Sequence, residues 1–239
     1  MARAAIPGRL TWRVATVTET RDETATARTL GLDVPGWPGH LAGQHVDVKL
    51  TAEDGYSAQR SYSIATAPDG ECLELTVQRI ADGEVSPYLT EELRPGDQFE
   101  VRGPIGGWFA RRPDSDAPLL LVAGGSGVVP LMSMIRASTK VPVRLVYSVR
   151  CPADVIYAPE LSERMSATLL DVAFCYTREA PPGARLGRIS ADVIPKAAEP
   201  FPEVFVCGPS GFVETASSLL IAAGHSRPAI KTERFGPTS

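Results

Sequence analysis

The stretch that decides the fold is residues 118–136, which read PLLLVAGGSGVVPLMSMIR. An apolar run leads into the GGSG segment at 124–127, and an apolar stretch with helical spacing follows from Pro130. A strand, a glycine-rich turn and a helix in this order let the backbone approach a pyrophosphate, while the start of the helix supplies free N–H groups. Pro130 stands where the usual motif has its third glycine, and proline suits the first turn of a helix. The stretch therefore favours a phosphate-binding loop over an ordinary tight turn.

The sequence after the linker 111–117 alternates between buried-type strands and helices. The predicted strands are residues 118–123, 141–148, 168–176 and 204–207, and the predicted helices are residues 130–138, 158–166 and 212–223. This alternation indicates a parallel sheet built from βαβ units.

The sequence before the linker predicts short strands separated by turn residues. These strands are residues 12–17, 26–32, 45–50, 60–64, 73–79 and 98–101. Strands at this spacing are typical of an antiparallel barrel or sandwich. One helix is predicted at 88–93, with Ser86 as its N-cap and Pro87 in its first turn. We therefore expect two domains, residues 1–112 and 113–239, the first all-β and the second α/β.

Composition and charge exclude several kinds of partner. The chain has 24 Lys and Arg against 28 Asp and Glu, a net charge of -4, which does not suit a polyanion such as nucleic acid. The four cysteines are scattered without a CxxC pair, so no metal or iron–sulfur site is expected. The apolar runs are too short to span a bilayer and the first residues lack the apolar region of a signal peptide. We expect a cytoplasmic, monomeric protein.

The RSYS segment at 60–63 carries a second candidate site. On a strand, Arg60 and Tyr62 share one face while Ser61 and Ser63 share the other. An arginine and an aromatic ring on one face can hold a phosphate and stack on a planar ring. The alternative is an ordinary amphipathic strand with its polar face in water.

Cys207 begins a third motif, CGPSG, at the end of a predicted strand. The carboxyl ends of parallel strands are where open α/β sheets bind ligands. The alternative is a small buried hydrophobe, the commonest role of a free cysteine. The histidines His40, His45 and His225 are isolated, and no catalytic triad or metal cluster is evident from them.

The order of these motifs along the chain resembles the ferredoxin-NADP reductase-like family of flavin-dependent oxidoreductases. The motifs are RSYS, GEVSPYL, GPIGGWF, GGSGVVP, CGPSG and ERFG, and the resemblance runs from about residue 12 to residue 235. It implies an antiparallel barrel that binds FAD, followed by a Rossmann-like lobe that binds NADPH or NADH.

The resemblance also implies roles for single residues of the flavin site. Arg60 would meet the pyrophosphate, Tyr62 would stack on the isoalloxazine, and Ser63 would approach its N5. Further flavin contacts are implied for Gln78, Arg79 and Ile80 on the next flavin strand and for Gly83, Glu84, Val85 and Ser86 in a phosphate turn. Phe235 matches the C-terminal aromatic residue that often covers the flavin. Glu233 nearby could assist near the flavin, but an exposed acid without a chemical role is the commoner case.

The nucleotide site follows from the same resemblance. Its loop would consist of Gly124, Gly125, Ser126, Gly127 and Pro130, and its nicotinamide pocket would be lined by Cys207, Gly208 and Pro209. Thr177 and Arg178 fall where many members hold the 2′-phosphate, which favours NADPH, although Glu179 beside them is suited to a free hydroxyl. Ser63 and Cys207 are the expected catalytic residues.

The resemblance implies transfer of reducing equivalents from NAD(P)H through FAD to an acceptor. Because the closely spaced cysteines of a [2Fe–2S] domain are missing, we expect the acceptor to be a separate ferredoxin-like or oxygenase partner. One alternative is a reductase of free flavin or of another small acceptor. Another is a non-catalytic binding module, against which the intact flavin motif argues.

Overall fold

A computed structural model describes residues 10–68, 72–167 and 169–236. Two expectations fall partly outside the described residues: the N-terminal stretch that argued against a signal peptide, and the start of the predicted strand at residue 168.

The first lobe is a six-stranded antiparallel barrel, as predicted. Its strands are β1 (Trp12–Thr24), β2 (Ala27–Asp33), β3 (His45–Thr51), β4 (Ser57–Ser63), β5 (Leu73–Gln78) and β6 (Gln98–Ile105). They pair in the order β4-β3-β6-β1-β2-β5, and a bridge between Ile64 and Leu75 brings the two edges together. The interior is filled by alternating Val and Leu side chains, which suits strands that are buried on one face.

The predicted helix of this lobe exists, but its start differs from the prediction. It contains a short π-helical turn, Tyr88–Glu92, preceded by Pro87, and no side chain caps it. Ser86 is not an N-cap, because its hydroxyl accepts a hydrogen bond from the N–H of Ile80 at 3.0 Å. That hydrogen bond joins the two ends of the turn 80–86 and leaves the first N–H groups of the helix without a side-chain cap.

The second lobe is a five-stranded parallel sheet with helices on both faces, again as predicted. Its elements are β7 (Leu119–Gly124), α1 (Val128–Ala137), β8 (Val143–Val149), α2 (Ala158–Ala167), β9 (Leu170–Tyr176), β10 (Glu203–Pro209), α3 (Ser210–Ala222) and β11 (Ile230–Phe235). The strand order is β11-β10-β7-β8-β9. Sequence analysis missed β11, since only Ile230 in it is buried and the apolar pattern of a core strand is lacking.

The strand order shows at which end of this sheet a ligand is expected to bind. The chain moves from β7 outward to β8 and β9, then returns to β10 on the other side of β7. In open parallel sheets the crevice at such a switch point lies beyond the carboxyl ends of the strands. Both GGSG and CGPSG start there.

Arg136, near the end of α1, joins the two lobes. Its guanidinium contacts the carboxylates of Glu74 in β5 and Glu160 in α2, each at 2.6 Å, and the carbonyl of Ala65 at 2.9 Å. It also lies 5.2 Å from the ring centre of Tyr157. Burial by itself lowers the pKa of Arg136, but the bonds and charges of Glu160 and Glu74 outweigh it, and the pKa is raised. The side chain therefore stays charged at the junction.

Further contacts across the junction come from hydroxyl groups. The buried Tyr157 hydroxyl contacts the hydroxyl of Thr76 in β5, and Ser133 in α1 contacts the carbonyl of Thr66. The backbone N–H of Tyr157 donates to Glu23 at 3.2 Å. These hydroxyl and backbone groups are thus satisfied by partners from the opposite lobe, as buried polar groups require.

Across the described ranges 10–68, 72–167 and 169–236, no helix combines the length and the apolar character needed to cross a membrane.

We expect Arg136→Leu to lower the free energy of unfolding by about 3 kcal/mol, because it removes the cation that two largely buried carboxylates share. Glu160 keeps Arg164 at 2.8 Å and Glu74 keeps Arg21 at 3.8 Å, so the loss is only partly compensated. Urea denaturation at neutral pH measures this. Arg144→Ala is the matched control, since Arg144 pairs with the exposed Asp171 on a neighbouring strand, and it should cost less than about 1 kcal/mol. Equal losses of unfolding free energy in the two variants would contradict the conclusion that Arg136 holds the two lobes together.

Candidate active site

The RSYS segment forms the end of β4 and pairs with β3. Arg60 lies opposite Val48, Tyr62 opposite Val46 and Ser63 opposite His45. The guanidinium of Arg60 is 55% exposed and lies 3.1 Å from the carboxylate of Glu84. An exposed arginine at the mouth of the barrel is available to an anionic ligand.

Tyr62 presents a ring that is partly buried against the barrel core. Burial raises the pKa of Tyr62 to about 12, although the positive charge of Arg60 acts in the opposite direction. The phenol is therefore neutral at physiological pH and lies within electrostatic range of the guanidinium. A cation and an aromatic ring are close together here, as the strand alternation predicts.

The turn 80–86 faces this strand from the next part of the barrel. The N–H of Gly83 donates to the carbonyl of Ile80 at 2.9 Å, and Val85 is buried in the barrel core. The Ser86 hydroxyl accepts from Ile80, so its own hydrogen is not used in that bond, and the residue is only 5% exposed. Arg79 pairs with Glu91 at 3.2 Å, while the side chain of Ile80 is exposed.

The GGSG loop runs from the end of β7 into α1 through a short 3-10 turn, Gly125–Gly127. Gly125 has a φ of +56°, which favours glycine, and nothing stands within 4 Å of where its side chain would begin. At Gly127 a Cβ atom would lie 2.2 Å from the carbonyl oxygen of Cys207. The loop is thus packed tightly on β10 but open on the ligand side, and Pro130 is buried in the first turns of α1.

A cleft of about 260 Å³ opens beside this loop. Its lining residues are Gln78, Gly124, Gly125, Ser126, Ser148, Val149, Arg150, Asp154, Ile156, Thr177, Pro209 and Phe212. Gln78 comes from the barrel and all the others from the second lobe. The cleft therefore lies where the two lobes meet, at the switch point.

The candidate 2′-phosphate residues lie on the rim of this cleft. Thr177 lines it, and the exposed Arg178 follows, with its N–H bonded to the carbonyl of Arg150 at 2.8 Å. Arg150 also lines the cleft, and its guanidinium holds both carboxylate oxygens of Asp154, at 2.8 and 3.2 Å. Sequence analysis missed this pair because it lies in an irregular segment after β8.

Cys207 is buried in β10 between Ala123 of β7 and Glu233 of β11. Burial raises the pKa of its thiol well above the ordinary value, and the carboxyl of Glu233 raises it further. The side chain is a neutral thiol rather than a thiolate. Gly208 follows it, buried, and the exposed Pro209 lies opposite Phe235 of β11.

Glu233 is not the exposed acid that the sequence suggested. Its side chain is 27% exposed, and burial raises its pKa to about 7. His45 of β3 lies 3.9 Å from it, and burial lowers the pKa of that imidazole while Asp47 acts in the opposite direction. Both shifts favour the uncharged forms, and near pH 7 the carboxyl of Glu233 is about half protonated. The contact therefore joins two groups from different lobes that can gain or lose a proton near neutral pH.

These contacts bring several distant motifs to one place. Ser63 is the register partner of His45, His45 contacts Glu233, and Glu233 is the register partner of Cys207. Phe235 ends the same strand as Glu233 and is 38% exposed. The sequence marked Glu233 only through the ERFG motif and gave His45 no role, since their meeting depends on packing between the lobes.

Within residues 10–68, 72–167 and 169–236, no cluster of His, Cys, Asp and Glu side chains could hold a metal ion.

Comparison with protein-family models identifies both halves of this site. Residues 13–109 match the oxidoreductase FAD-binding domain, and residues 121–218 match the oxidoreductase NAD-binding domain. The fold and the site thus define an oxidoreductase that uses FAD together with a nicotinamide nucleotide.

Curated relatives narrow the class. Ferredoxin-NADP reductase B of Sorangium cellulosum is 34% identical over 209 residues, which cover 81% of this chain and 84% of that protein. The protein belongs to the ferredoxin-NADP reductase-like family of flavin-dependent oxidoreductases. The glycine betaine monooxygenase reductase subunit of Pseudomonas aeruginosa is 32% identical over 82% of this chain but only 56% of its own length. The chain thus spans a little over half of that relative.

Solved structures agree on the fold. The Amycolatopsis cytochrome P450 reductase is 28% identical with a TM-score of 0.84, covering 96% of this chain and 71% of that one. The ferredoxin reductase in carbazole 1,9a-dioxygenase is 27% identical with a TM-score of 0.82, and the match covers 98% of this chain and 71% of that one.

The residues present fit both cofactors. The open ligand side of the glycine loop, with Gly127 packed directly on Cys207, leaves room for a diphosphate at the start of α1. Arg60, Tyr62 and the turn 80–86 offer a cation, an aromatic ring and a hydroxyl donor on one side of the barrel.

We expect Glu233 to give the protein a distinctive pH dependence of stability. A carboxyl whose pKa rises from 4.5 to about 7 on folding stabilises the fold below the unfolded pKa. That stability is lost as the pH rises through the folded pKa. As the pH rises from about 4.5 to about 7, the free energy of unfolding of the wild type should therefore fall relative to that of Glu233→Gln. Denaturant titrations of both proteins across this range measure the difference. Because His45 contacts Glu233, the same comparison in a His45→Gln background separates the carboxyl from the imidazole. Parallel profiles would contradict a buried, protonated Glu233.

Proposed function

We propose that this protein passes reducing equivalents from NAD(P)H through FAD to a separate redox protein, of the ferredoxin or oxygenase-component type. When bound, FAD accepts a hydride from the nicotinamide and releases the electrons to an acceptor. The observation that carries the proposal is the junction of the lobes. There the end of the flavin strand, at Ser63, and the end of β10, at Cys207, are connected through His45 and Glu233.

The proposal gives the chain's own residues the following roles. Arg60 and the turn 80–86 bind the flavin's diphosphate, with Gly83, Val85 and Ser86 shaping the turn, and Tyr62 stacks on the ring. Gln78, Arg79 and Ile80 continue this site, and Ser63 hydrogen-bonds the ring. Residues 124–127 and Pro130 cradle the nucleotide diphosphate. Cys207, Gly208 and Pro209 position the nicotinamide, and Phe235 covers the flavin.

Two features extend the roles of Cys207 and Glu233. The thiol of Cys207, buried behind Gly127 of the glycine loop, is a small polarisable group with no charge to oppose a hydride. Glu233 and His45 can hold or move a proton beside it, because both have pKa values that burial shifts toward the neutral form.

The organisation of the protein is part of the same proposal. We take residues 1–112 as the flavin domain and residues 113–239 as the nucleotide domain, acting as a monomer in the cytoplasm. The relatives named as reductase subunits or ferredoxin reductases support a separate protein acceptor. The scattered cysteines, of which Cys175 and Cys207 are buried, support the absence of a cluster within the described residues.

We expect reduction of the protein partner to slow as salt rises, while reduction of the flavin by nucleotide hardly changes. Docking of redox partners is transient and often steered by charge, whereas hydride transfer takes place within the cleft. Stopped-flow absorbance at increasing ionic strength separates the two steps, with ferredoxins and oxygenase components as acceptors. Fast turnover with free flavin, and none accelerated by these proteins, would favour the second candidate, a reductase of free flavin.

We expect NADPH to be preferred over NADH through Arg178. A 2′-phosphate is best held by an arginine fork, and Arg178 lies beside Arg150 on the rim of the cleft. Arg178→Ala should lower the NADPH-to-NADH ratio of kcat/KM by about tenfold, the effect of one charge-assisted hydrogen bond. Asp154→Asn is the matched comparison, since it frees Arg150 and should raise the ratio. An unchanged ratio in Arg178→Ala would remove Arg178 from the nucleotide site.

A further inference from the structure

The cation of the flavin motif already has an anionic partner within the chain. Glu84 lies inside the turn 80–86, and one of its carboxylate oxygens is 3.1 Å from Nη2 of Arg60. The other accepts the hydroxyl of Tyr56 at 3.0 Å. Arg60 also donates from Nη1 to the carbonyl of Gln59 at 2.7 Å. The carboxylate is therefore fixed by two side chains of the flavin-strand hairpin.

The second cation beside this turn is also paired. Arg79 lies 3.2 Å from Glu91 in the π-helical turn. The charges of Arg60, Glu84, Arg79 and Glu91 therefore cancel around the turn. A diphosphate that approaches it meets two arginines, each with an acid already beside it, and no net positive charge.

These pairs are held at the surface, where a ligand can compete for them. Arg60 is 55% exposed and Glu84 is 53% exposed, so water and dissolved ions reach both. Exposed ion pairs are weak, and a diphosphate offers the guanidinium two oxygens in place of one carboxylate. The carboxylate of Glu84 nevertheless remains in the same turn and repels the incoming phosphates.

We propose that Glu84 is an internal counter-ion of Arg60 that the FAD diphosphate must displace, and that its negative charge weakens flavin binding. This rests on the flavin site of the proposed function and deepens it. Glu84 thereby sets how readily FAD leaves the protein. It is a residue that tunes cofactor affinity and takes no part in the hydride transfer.

The test is the dissociation constant of FAD for the apoprotein, measured by quenching of flavin fluorescence at low and high salt. Glu84→Gln keeps the shape and removes the charge, and it should bind FAD about fivefold more tightly at low salt. Its one amide oxygen can still accept from Arg60, while the amide nitrogen can donate to the Tyr56 hydroxyl in place of the bond that hydroxyl now donates. The gain should shrink at high salt, because it is electrostatic. Glu84→Asp keeps the charge and should stay close to wild type.

Two further variants show whether the effect runs through Arg60. Tyr56→Phe removes the other hydrogen bond of Glu84 without changing any charge, and should change FAD affinity less than Glu84→Gln does. In an Arg60→Ala background, Glu84→Gln should give a smaller gain than in wild type. Far-ultraviolet circular dichroism confirms that each apoprotein is folded before titration.

The outcomes separate this inference from the proposed function. Unchanged affinity in Glu84→Gln would overturn the inference, and weaker affinity would also overturn it by showing that Glu84 instead positions Arg60 for the diphosphate. If Glu84→Gln gave its full gain in FAD affinity in the Arg60→Ala background as well, this would overturn the claim that FAD displaces Glu84 from Arg60. Failure of folded wild-type protein to bind FAD would overturn the proposed function itself.

Discussion

The buried guanidinium of Arg136 is the constraint on which the site depends. It sits at the end of the helix that begins at the glycine loop, and it is held by one carboxylate from each lobe. A helix of this length is a stiff rod of about 15 Å. The nucleotide loop at one end of α1 is thereby fixed relative to the flavin barrel at the other. Neither lobe alone can form the cleft that Gln78 shares with the parallel sheet.

With the lobes fixed, the chemistry at their junction follows from burial more than from charge. Cys207, Glu233 and His45 are all shifted toward their neutral forms. By contrast, the charged residues of the site lie at its rim, where Arg60, Arg150 and Arg79 each face an acid. A centre without fixed charges suits the transfer of a hydride, because no nearby anion opposes the negative charge that moves. The rim suits the recognition of phosphates, because its arginines attract them and the neighbouring carboxylates can tune their affinity.

The features that could be predicted from the sequence are those that depend on residues close together along the chain. The GGSG loop and the RSYS strand were recognisable because a strand, a turn and a helix follow one another within a few residues. The contact of His45 with Glu233 and the pairing of Arg60 with Glu84 were not recognisable, because each depends on how distant strands meet. The strand β11 was missed since it is mostly polar, and the N-cap assigned to Ser86 was wrong because its hydroxyl bonds back to Ile80.

The tyrosines give the junction an optical property of its own. Burial raises the pKa of Tyr157, whose hydroxyl bridges the lobes, and that of Tyr147, in strand β8, well beyond the usual range. It raises the pKa of Tyr62 to about 12. Tyrosinate absorbs in the near ultraviolet at wavelengths where the phenol does not. In an alkaline titration the absorbance of Tyr157 therefore appears only when the lobes separate or unfold, which makes the native chain its own reporter of lobe association.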